Sequence, residues 1–153
     1  DRLEQFIDQG DGDQCSRWLN DHNASDVIHD VSQLGDAQRA RLLELLPCEE
    51  AAELIEQIPM TQAVGGIESI DTIKAAEILG QLHSDDQADL VAELDDKDAH
   101  RIIGHLDQES ADNLRRLSAY DPESAGGLMV TEFLAYPRDV TIKSVLDDLE
   151  QNA

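Results

Sequence analysis

Three aspartates lie close together in the stretch SDDQAD, residues 84–89. In a helix, Asp85 and Asp89 would share one face because they are four residues apart, and Asp86 would lie beside them. Carboxylate oxygens are the ligands that hard divalent cations prefer, and a bridging cation would relieve the repulsion between these like charges. The same residues also fit a structural role, since Ser84 can cap a helix whose positive N-terminus attracts Asp85 and Asp86. Taken alone, the residue types and their spacing favour capping.

Other acidic residues offer weaker candidates. Asp95, Asp96 and Asp98 form another acid-rich corner, in which Asp95 has the position of a helix cap.

The familiar signatures of catalysis and of structural metal sites are missing from the sequence. Residues 8–15, DQGDGDQC, break the order of a calcium-binding loop. His100 and His105 are five residues apart and would not share a helix face. There is no H-E-x-x-H, no G-x-S-x-G and no phosphate-binding G-x-x-x-x-G-K motif. We therefore expect that the protein is not an enzyme.

The charge of the chain restricts its partners. The 153 residues include 34 acidic and 11 basic side chains, a formal net charge of −23. Such a surface repels phosphate backbones and anionic lipid headgroups and attracts cations or a basic partner. No apolar run approaches the roughly 20 residues that span a bilayer, and the isolated Cys15 and Cys48 suit a reducing compartment. We expect no nucleic-acid binding and no direct membrane contact.

Apolar residues recur with a 12-residue period through the middle of the chain. Each repeat has an apolar pair, a third apolar residue three positions later, and an alanine in constant phase. The apolar pairs are Leu42-Leu43, Leu54-Ile55, Ile78-Leu79, Leu90-Val91 and Ile102-Ile103, and the alanines are Ala51, Ala63, Ala75, Ala99 and Ala111. A continuous helix would carry this pattern about a third of a turn around its axis at every repeat. The helix must therefore break once in each period.

Residues that break or cap helices share one phase of the repeat. They are Gly35, Pro47, Pro59, Asp71, His83, Asp95 and Asp107. Ser84 and Gln87 have the spacing of a capping box. The pattern predicts an all-α superhelix of short helices, roughly 8–10 residues each, over residues 26–117.

The segment YDPESAGGLMVTEF, from Tyr120, departs from this repeat. Asp121 is a potential N-cap, and Gly126-Gly127 would end the following turn. Residues 132–137 predict a short strand. Thr141 is a potential N-cap for a helix with Ile142, Val145, Leu146 and Leu149 on one face. A single strand and helix cannot hold a core of their own, so we expect the start of a second domain within a longer protein.

The string YDPESAGGLMVTEFLAYP resembles the junction between the helical N domain and the first CBS domain of MgtE magnesium transporters. The preceding LLPCEEAAELIEQIP and LHSDDQADLVAEL are similar to the N domain of that family. The resemblance implies a helical N domain at residues 1–118, and a linker with the first strand and helix of a truncated α/β CBS domain at residues 119–153.

The same resemblance implies a regulatory function at the cytoplasmic face of the bacterial inner membrane. Such N domains sense Mg²⁺ together with the CBS domains and close a transmembrane pore when the ion is plentiful. Asp85 and Asp89, with Asp86 beside them, match acidic positions that face the CBS pair, and Glu53 matches an acidic position at the interface. The implied partners are the CBS domains and pore of the same protein, which is a homodimer at full length. Mg²⁺ binding by the isolated chain is expected to be weak or absent.

The alternative is a helical protein-interaction scaffold without ion sensing, since similar superhelices occur in flagellar motor switch proteins. The ESAGGLMVTEF junction argues against it, because a scaffold has no need of a CBS start.

Overall fold

A computed structural model describes residues 2–121, 123–131 and 134–152. Within these ranges the chain is all-helical, as the 12-residue period predicts, and none of the helices is long and apolar enough to cross a membrane. The helices are α1 (Arg2–Gln9), α2 (Gly12–Asp21), α3 (Ala24–Gln33), α4 (Asp36–Leu45), α5 (Cys48–Gln57), α6 (Met60–Ser69), α7 (Thr72–Leu79), α8 (Ser84–Glu93), α9 (Asp96–Ile103), α10 (Gln108–Leu117) and α11 (Ile142–Asn152).

The predicted breaks are confirmed. Every residue of the breaker phase, from Gly35 to Asp107, is the N-cap of the helix that follows it. The aspartates at this phase cap through their side chains: Asp71 accepts from the backbone N–H of Ile73, Asp95 from that of Lys97, and Asp107 from that of Ser110. Helices α4 to α10 are 8 or 10 residues long, within the predicted range.

The apolar positions of the repeat form the core. All five alanines in constant phase are buried. The repeat also predicts a core from the second member of each apolar pair and the apolar residue three positions after it, and eight of these ten residues are buried. The two exceptions, Ile103 and Leu106, are half-buried and pack against the core from its edge. The buried predicted residues are Leu43, Leu46, Ile55, Ile58, Leu79, Leu82, Val91 and Leu94.

From α4 onward, each helix packs mainly against the second helix after it. The contacts are α4 with α6, α5 with α7, α6 with α8, α7 with α9 and α8 with α10. This alternation places α4, α6, α8 and α10 in one row and α5, α7 and α9 in the other. Because two 12-residue repeats separate packed helices, side chains some 27 residues apart meet across each pair, which positions the site described below.

The segment after α10 agrees only in part with the prediction. Thr141 caps α11 as predicted, since its Oγ1 accepts from the backbone N–H of Ser144 at 3.2 Å. The strand prediction at 132–137 is wrong over 134–137, which has no strand; residues 132 and 133 lie outside the described ranges. A strand requires a partner for its backbone hydrogen bonds, and no neighbouring strand is present in the described ranges. The apolar face of α11 is largely exposed, including 81% of Ile142 and 54% of Leu146.

Gly126 is explained by its contact with Tyr120. A Cβ atom at Gly126 would lie 2.6 Å from Cδ1 of the Tyr120 ring. The turn after α10 folds back so tightly on this ring that only a residue without a side chain fits.

Candidate cation site at the start of helix α8

The start of α8 is held by contacts different from those of the predicted capping box. His83 is the N-cap, and Ser84 is the first residue of the helix. The Ser84 side chain is buried, and its Oγ accepts a hydrogen bond from the backbone N–H of Thr131. Gln87 donates from its side chain to the carbonyl oxygen of Leu82 at 2.8 Å. The capping-box prediction for Ser84 and Gln87 is therefore wrong, because the helix begins at Ser84 itself, one residue earlier than a Ser84 cap would require.

The three aspartates of SDDQAD lie along the first two turns of α8. Asp85 is half-buried, and its buried Oδ1 accepts no hydrogen bond from the part of the chain that is described. Asp86 is half-buried and Asp89 is exposed. Asp85 and Asp89 are separated by one helical turn, as their spacing predicts.

Asp86 lies in a strongly negative environment. Burial raises the pKa of its carboxyl above the ordinary value, and the charges of Asp85 and Glu56 raise this pKa further. Asp89 acts in the same direction, whereas His83 lowers the pKa. The carboxylate form of Asp86 is thus disfavoured, and a cation bound nearby would stabilise it.

Two further residues complete a convergent set of donor atoms. His83 Nδ1 lies 2.9 Å from Oε1 of Glu56, and the backbone N–H of His83 donates to the same oxygen at 3.4 Å. One potential ligand atom from each of Glu56, His83 and Asp86 lies within 4.8 Å of the other two. We call these three residues the α5–α8 triad, since Glu56 belongs to α5 and the others to the start of α8. The triad can hold a divalent cation with one imidazole nitrogen and two carboxylate oxygens.

Sequence reasoning placed Asp86 in a cation site but missed Glu56 and His83. The signal was available in the repeat, because His83 occupies the phase of the N-caps and Glu56 lies two repeats and three residues earlier. It could be read only by knowing that each helix packs against the second helix after it.

A scan of protein-family models matches residues 22–123 to the MgtE intracellular N domain. The chain belongs to this family. The match to the MgtE N domain extends from the end of α2 to the turn after α10 and includes the whole of α5 and α8. A search of curated proteins finds no match.

Solved structures share the MgtE fold. The chain is similar to the "soluble part of a magnesium transporter", with a TM-score of 0.82 and 21% identity over 97% of this chain and 59% of that chain. It is also similar to the "cytosolic domain of the Mg²⁺ channel MgtE in complex with ATP", with a TM-score of 0.82 and 26% identity over 97% of this chain and 61% of that chain. The chain therefore spans about three fifths of the length of each of these structures.

Glu53, the fourth candidate ligand in this MgtE N domain, lies one turn before Glu56 on α5. It is exposed and lines a surface cavity of about 270 Å³ together with His22 and Glu50. Glu53 is not among the described residues whose donor atoms converge, which are Glu56, His83 and Asp86. Its role as a cation ligand remains a prediction.

Proposed function

We propose that this chain is the cytosolic regulatory portion of a magnesium transporter and that it senses intracellular Mg²⁺ through acidic sites to gate the membrane pore. The observation that carries the proposal is the family match over residues 22–123. The proposed domains are the helical N domain, residues 1–118, and a linker with the beginning of a CBS domain, residues 119–153. The proposed partners are the CBS domains and the pore region of the same homodimeric protein, at the cytoplasmic face of the inner membrane.

The charge distribution supports cation sensing. The chain carries a net charge of −23, and part of that charge converges where Asp85, Asp86 and Asp89 lie on α8. Mg²⁺ keeps several of its waters and needs only one or two carboxylates from a given surface. Asp85 and Asp89 are proposed to supply them, with Asp86 and Glu53 contributing at the same interface. Oxygen ligands from the CBS domains would complete each site, so Mg²⁺ binding by this chain alone is proposed to be weak.

Gating follows from the preference of the ion for one arrangement of the domains. A ligand shifts a conformational equilibrium only by binding one state better than the other. With carboxylates on both sides of the interface, Mg²⁺ relieves repulsion in the compact arrangement and not in the open one. High Mg²⁺ would thus favour the compact state, which closes the pore.

The test is protection of the linker at residues 120–130 from protease in the full-length protein, measured against Mg²⁺ concentration. The Asp85→Ala/Asp89→Ala variant should require more Mg²⁺ for protection than the wild type. The Asp8→Ala/Asp13→Ala variant removes the same net charge from the exposed surface of α1 and α2 and should behave as the wild type. Sodium chloride at equal ionic strength should substitute poorly, because screening does not bridge two carboxylates.

Equal Mg²⁺ requirements in the wild type and the Asp85→Ala/Asp89→Ala variant would show that these aspartates do not take part in Mg²⁺ sensing. If protection of the linker in the full-length protein does not depend on Mg²⁺ concentration, that result would favour the scaffold alternative.

A further inference from the structure

The α5–α8 triad has a counterpart one repeat later in the chain. Adding 12 to each residue number converts Glu56, His83 and Asp86 into Glu68, Asp95 and Asp98. The backbone geometry is the same in both copies: Oε1 of the glutamate accepts from the backbone N–H of the N-cap residue, at 3.4 Å from His83 and 3.1 Å from Asp95. Joining the packed helices is therefore the common role of Glu56 and Glu68.

The two copies differ in how their negative charge is balanced. In the second copy, Arg101 forms an ion pair with Asp98, with Nη1 and Oδ1 2.7 Å apart. The residue equivalent to Arg101 in the first copy is Asp89, which adds a negative charge where the second copy has a positive one. Glu56 instead pairs with His83, a side chain that is charged only when protonated. The second copy thus contains a permanent cation, Arg101, whereas the first copy has the imidazole of His83 and no arginine.

We propose that Glu56, His83 and Asp86 bind a first-row transition-metal ion of the Zn²⁺ and Co²⁺ class, through His83 Nδ1 and one oxygen from each carboxylate. Imidazole nitrogen suits this class of ion, whereas Mg²⁺ prefers an all-oxygen shell. At metal–ligand bonds of about 2.1 Å, neighbouring ligands lie roughly 3.0 Å apart in an octahedral shell and roughly 3.4 Å apart in a tetrahedral one. The 2.9 Å between His83 Nδ1 and Glu56 Oε1 fits the octahedral spacing and needs only a small opening for the tetrahedral one. The site shares Asp86 with the proposed Mg²⁺ interface, but its other ligands, Glu56 and His83, are not part of Mg²⁺ sensing at Asp85 and Asp89, and the proposal does not depend on that function.

The position of the triad determines how strongly it can bind. The positive end of the α8 dipole opposes a cation and weakens its binding. The side chain of His83 is 61% exposed, whereas that of Glu56 is 27% exposed and already fixed by the His83 backbone. Three protein ligands at an open surface leave one or more coordination positions for water. The site is therefore an accessible, exchangeable one rather than a closed structural one.

The test is titration of the untagged chain with Co²⁺, followed by visible absorption, and with Zn²⁺, followed by calorimetry, both in excess Mg²⁺. All proteins carry Cys48→Ser, so that the half-buried thiol cannot act as a ligand. His83→Ala should weaken Co²⁺ and Zn²⁺ binding at least tenfold. Loss of a residue that only hydrogen-bonds to a metal ligand already lowers metal affinity by about tenfold or more, and His83 is proposed to be a ligand itself. The matched control, His105→Ala, removes an exposed histidine after α9 and should leave binding unchanged.

Two further variants keep the test independent of folding. His83→Asp places at the N-cap the residue that caps α7, α9 and α10. The fold should therefore persist, while Co²⁺ binding falls less than in His83→Ala because a carboxylate oxygen replaces the imidazole nitrogen. Asp89→Arg introduces the arginine of the second copy and should displace the metal by pairing with Asp86. Equal binding of Co²⁺ by the wild type, His83→Ala and His83→Asp would overturn the proposal.

The same proteins separate this inference from the proposed function. In the full-length protein, His83→Ala should leave the Mg²⁺ dependence of linker protection unchanged, whereas Asp85→Ala/Asp89→Ala should shift it. A shift of the Mg²⁺ requirement by His83→Ala as large as that of the double variant would show that one site serves both ions, and would contradict the distinction drawn here.

Discussion

The backbone N–H of Thr131 donates a 2.8 Å hydrogen bond to Oγ of Ser84, 47 residues earlier in the chain. Thr131 Oγ1 also accepts from Nδ2 of Asn113 on α10, at 3.2 Å. These two bonds attach the segment after α10 to the first residue of α8. Ser84 lies between His83 of the triad and Asp85 of the proposed Mg²⁺ site, so a cation at either position acts within one residue of the linker attachment.

Ser84→Ala is predicted to release this attachment. The variant removes the acceptor of the Thr131 amide, and amide exchange at Thr131 should quicken because opening of the segment no longer breaks that bond. Hydrogen exchange resolved to single residues measures the effect. Ser110→Ala is the matched control, since Ser110 Oγ bonds to Asp107 at the nearby start of α10. Unchanged exchange at Thr131 in Ser84→Ala would mean that other contacts hold the segment.

Neighbouring glycines in α6 are predicted to respond to alanine with opposite signs. At Gly66 a new Cβ would lie 2.8 Å from Cδ1 of the fully buried Leu43, across the contact of α4 with α6. Gly66→Ala should therefore lower the free energy of unfolding by about 1–3 kcal/mol through overpacking. At Gly65 the nearest atom is Asp36 Oδ1 at 3.9 Å, and Gly65→Ala should raise that free energy by about 0.5–1 kcal/mol through helix propensity.

Urea denaturation of both variants measures these changes, and each variant serves as the control for the other. Stabilisation by Gly66→Ala would show that the contact between α4 and α6 is looser than the structure indicates, and destabilisation by Gly65→Ala would show that it is tighter at Gly65.

The two thiols are predicted to react at very different rates. Cys15 is fully buried, and burial together with the nearby Asp11 carboxylate raises the pKa of its thiol, so the reactive thiolate is scarce. Cys48 is half-buried at the start of α5, with Nζ of Lys74 3.3 Å from its sulfur. In the native protein Cys48 should react with a disulfide reagent about 100-fold faster or more, because Cys15 must first be exposed by opening of the fold.

Cys15→Ser and Cys48→Ser assign the fast and slow phases, and both thiols should react together in denaturant. A native Cys48→Ser protein that reacts as fast as the wild type would refute the prediction.

Asp107 is predicted to stabilise the fold in a pH-dependent way. The hydroxyl of Ser110, followed by its backbone N–H, holds the pKa of the Asp107 carboxyl below its ordinary value of 3.8. A carboxyl whose pKa is lower in the folded state stabilises the fold fully above the unfolded pKa and loses that contribution as the pH falls through the folded one. The thermal midpoint of Asp107→Ala should thus lie below that of the wild type at pH 7, and the gap should narrow at acidic pH below 3.8.

Asp112→Ala, which changes an exposed aspartate in the middle of the same helix, serves as the control. A gap for Asp107→Ala that stays constant as the pH falls would show that the Ser110 hydrogen bonds do not depend on the charge.

The helices and core were predictable because both follow from local rules that the chain repeats. Each break coincides with a residue of known capping or breaking chemistry, as at Pro47 and Asp107, and each buried alanine recurs in one phase. The capping box at Ser84 failed because His83 is the N-cap of α8, and the Ser84 hydroxyl accepts from the distant Thr131 instead. Such a contact between residues far apart in sequence leaves no mark in the local pattern.

The candidate site was predictable only where its residues are neighbours in sequence. Helical spacing predicts that Asp85, Asp86 and Asp89 lie close together, whereas Glu56 contacts His83 from another helix. The set of ligands therefore depends on which helices pack together, and the 12-residue period of the sequence does not predict which helices are packed. The strand predicted at 132–137 required a partner strand, which no pattern within the segment could supply.

The packing of each helix against the second one after it has a consequence for the order in which the chain acquires structure. A helix such as α5 finds its main partner, α7, only two repeats further along, and no distant segment is needed to cover it. Contacts that span so few residues carry a small loop-closure cost and give rapid folding. During synthesis, each repeat that leaves the ribosome can therefore dock on the repeats already folded, and the superhelix can grow from its N-terminal end while the rest of the protein is still being made.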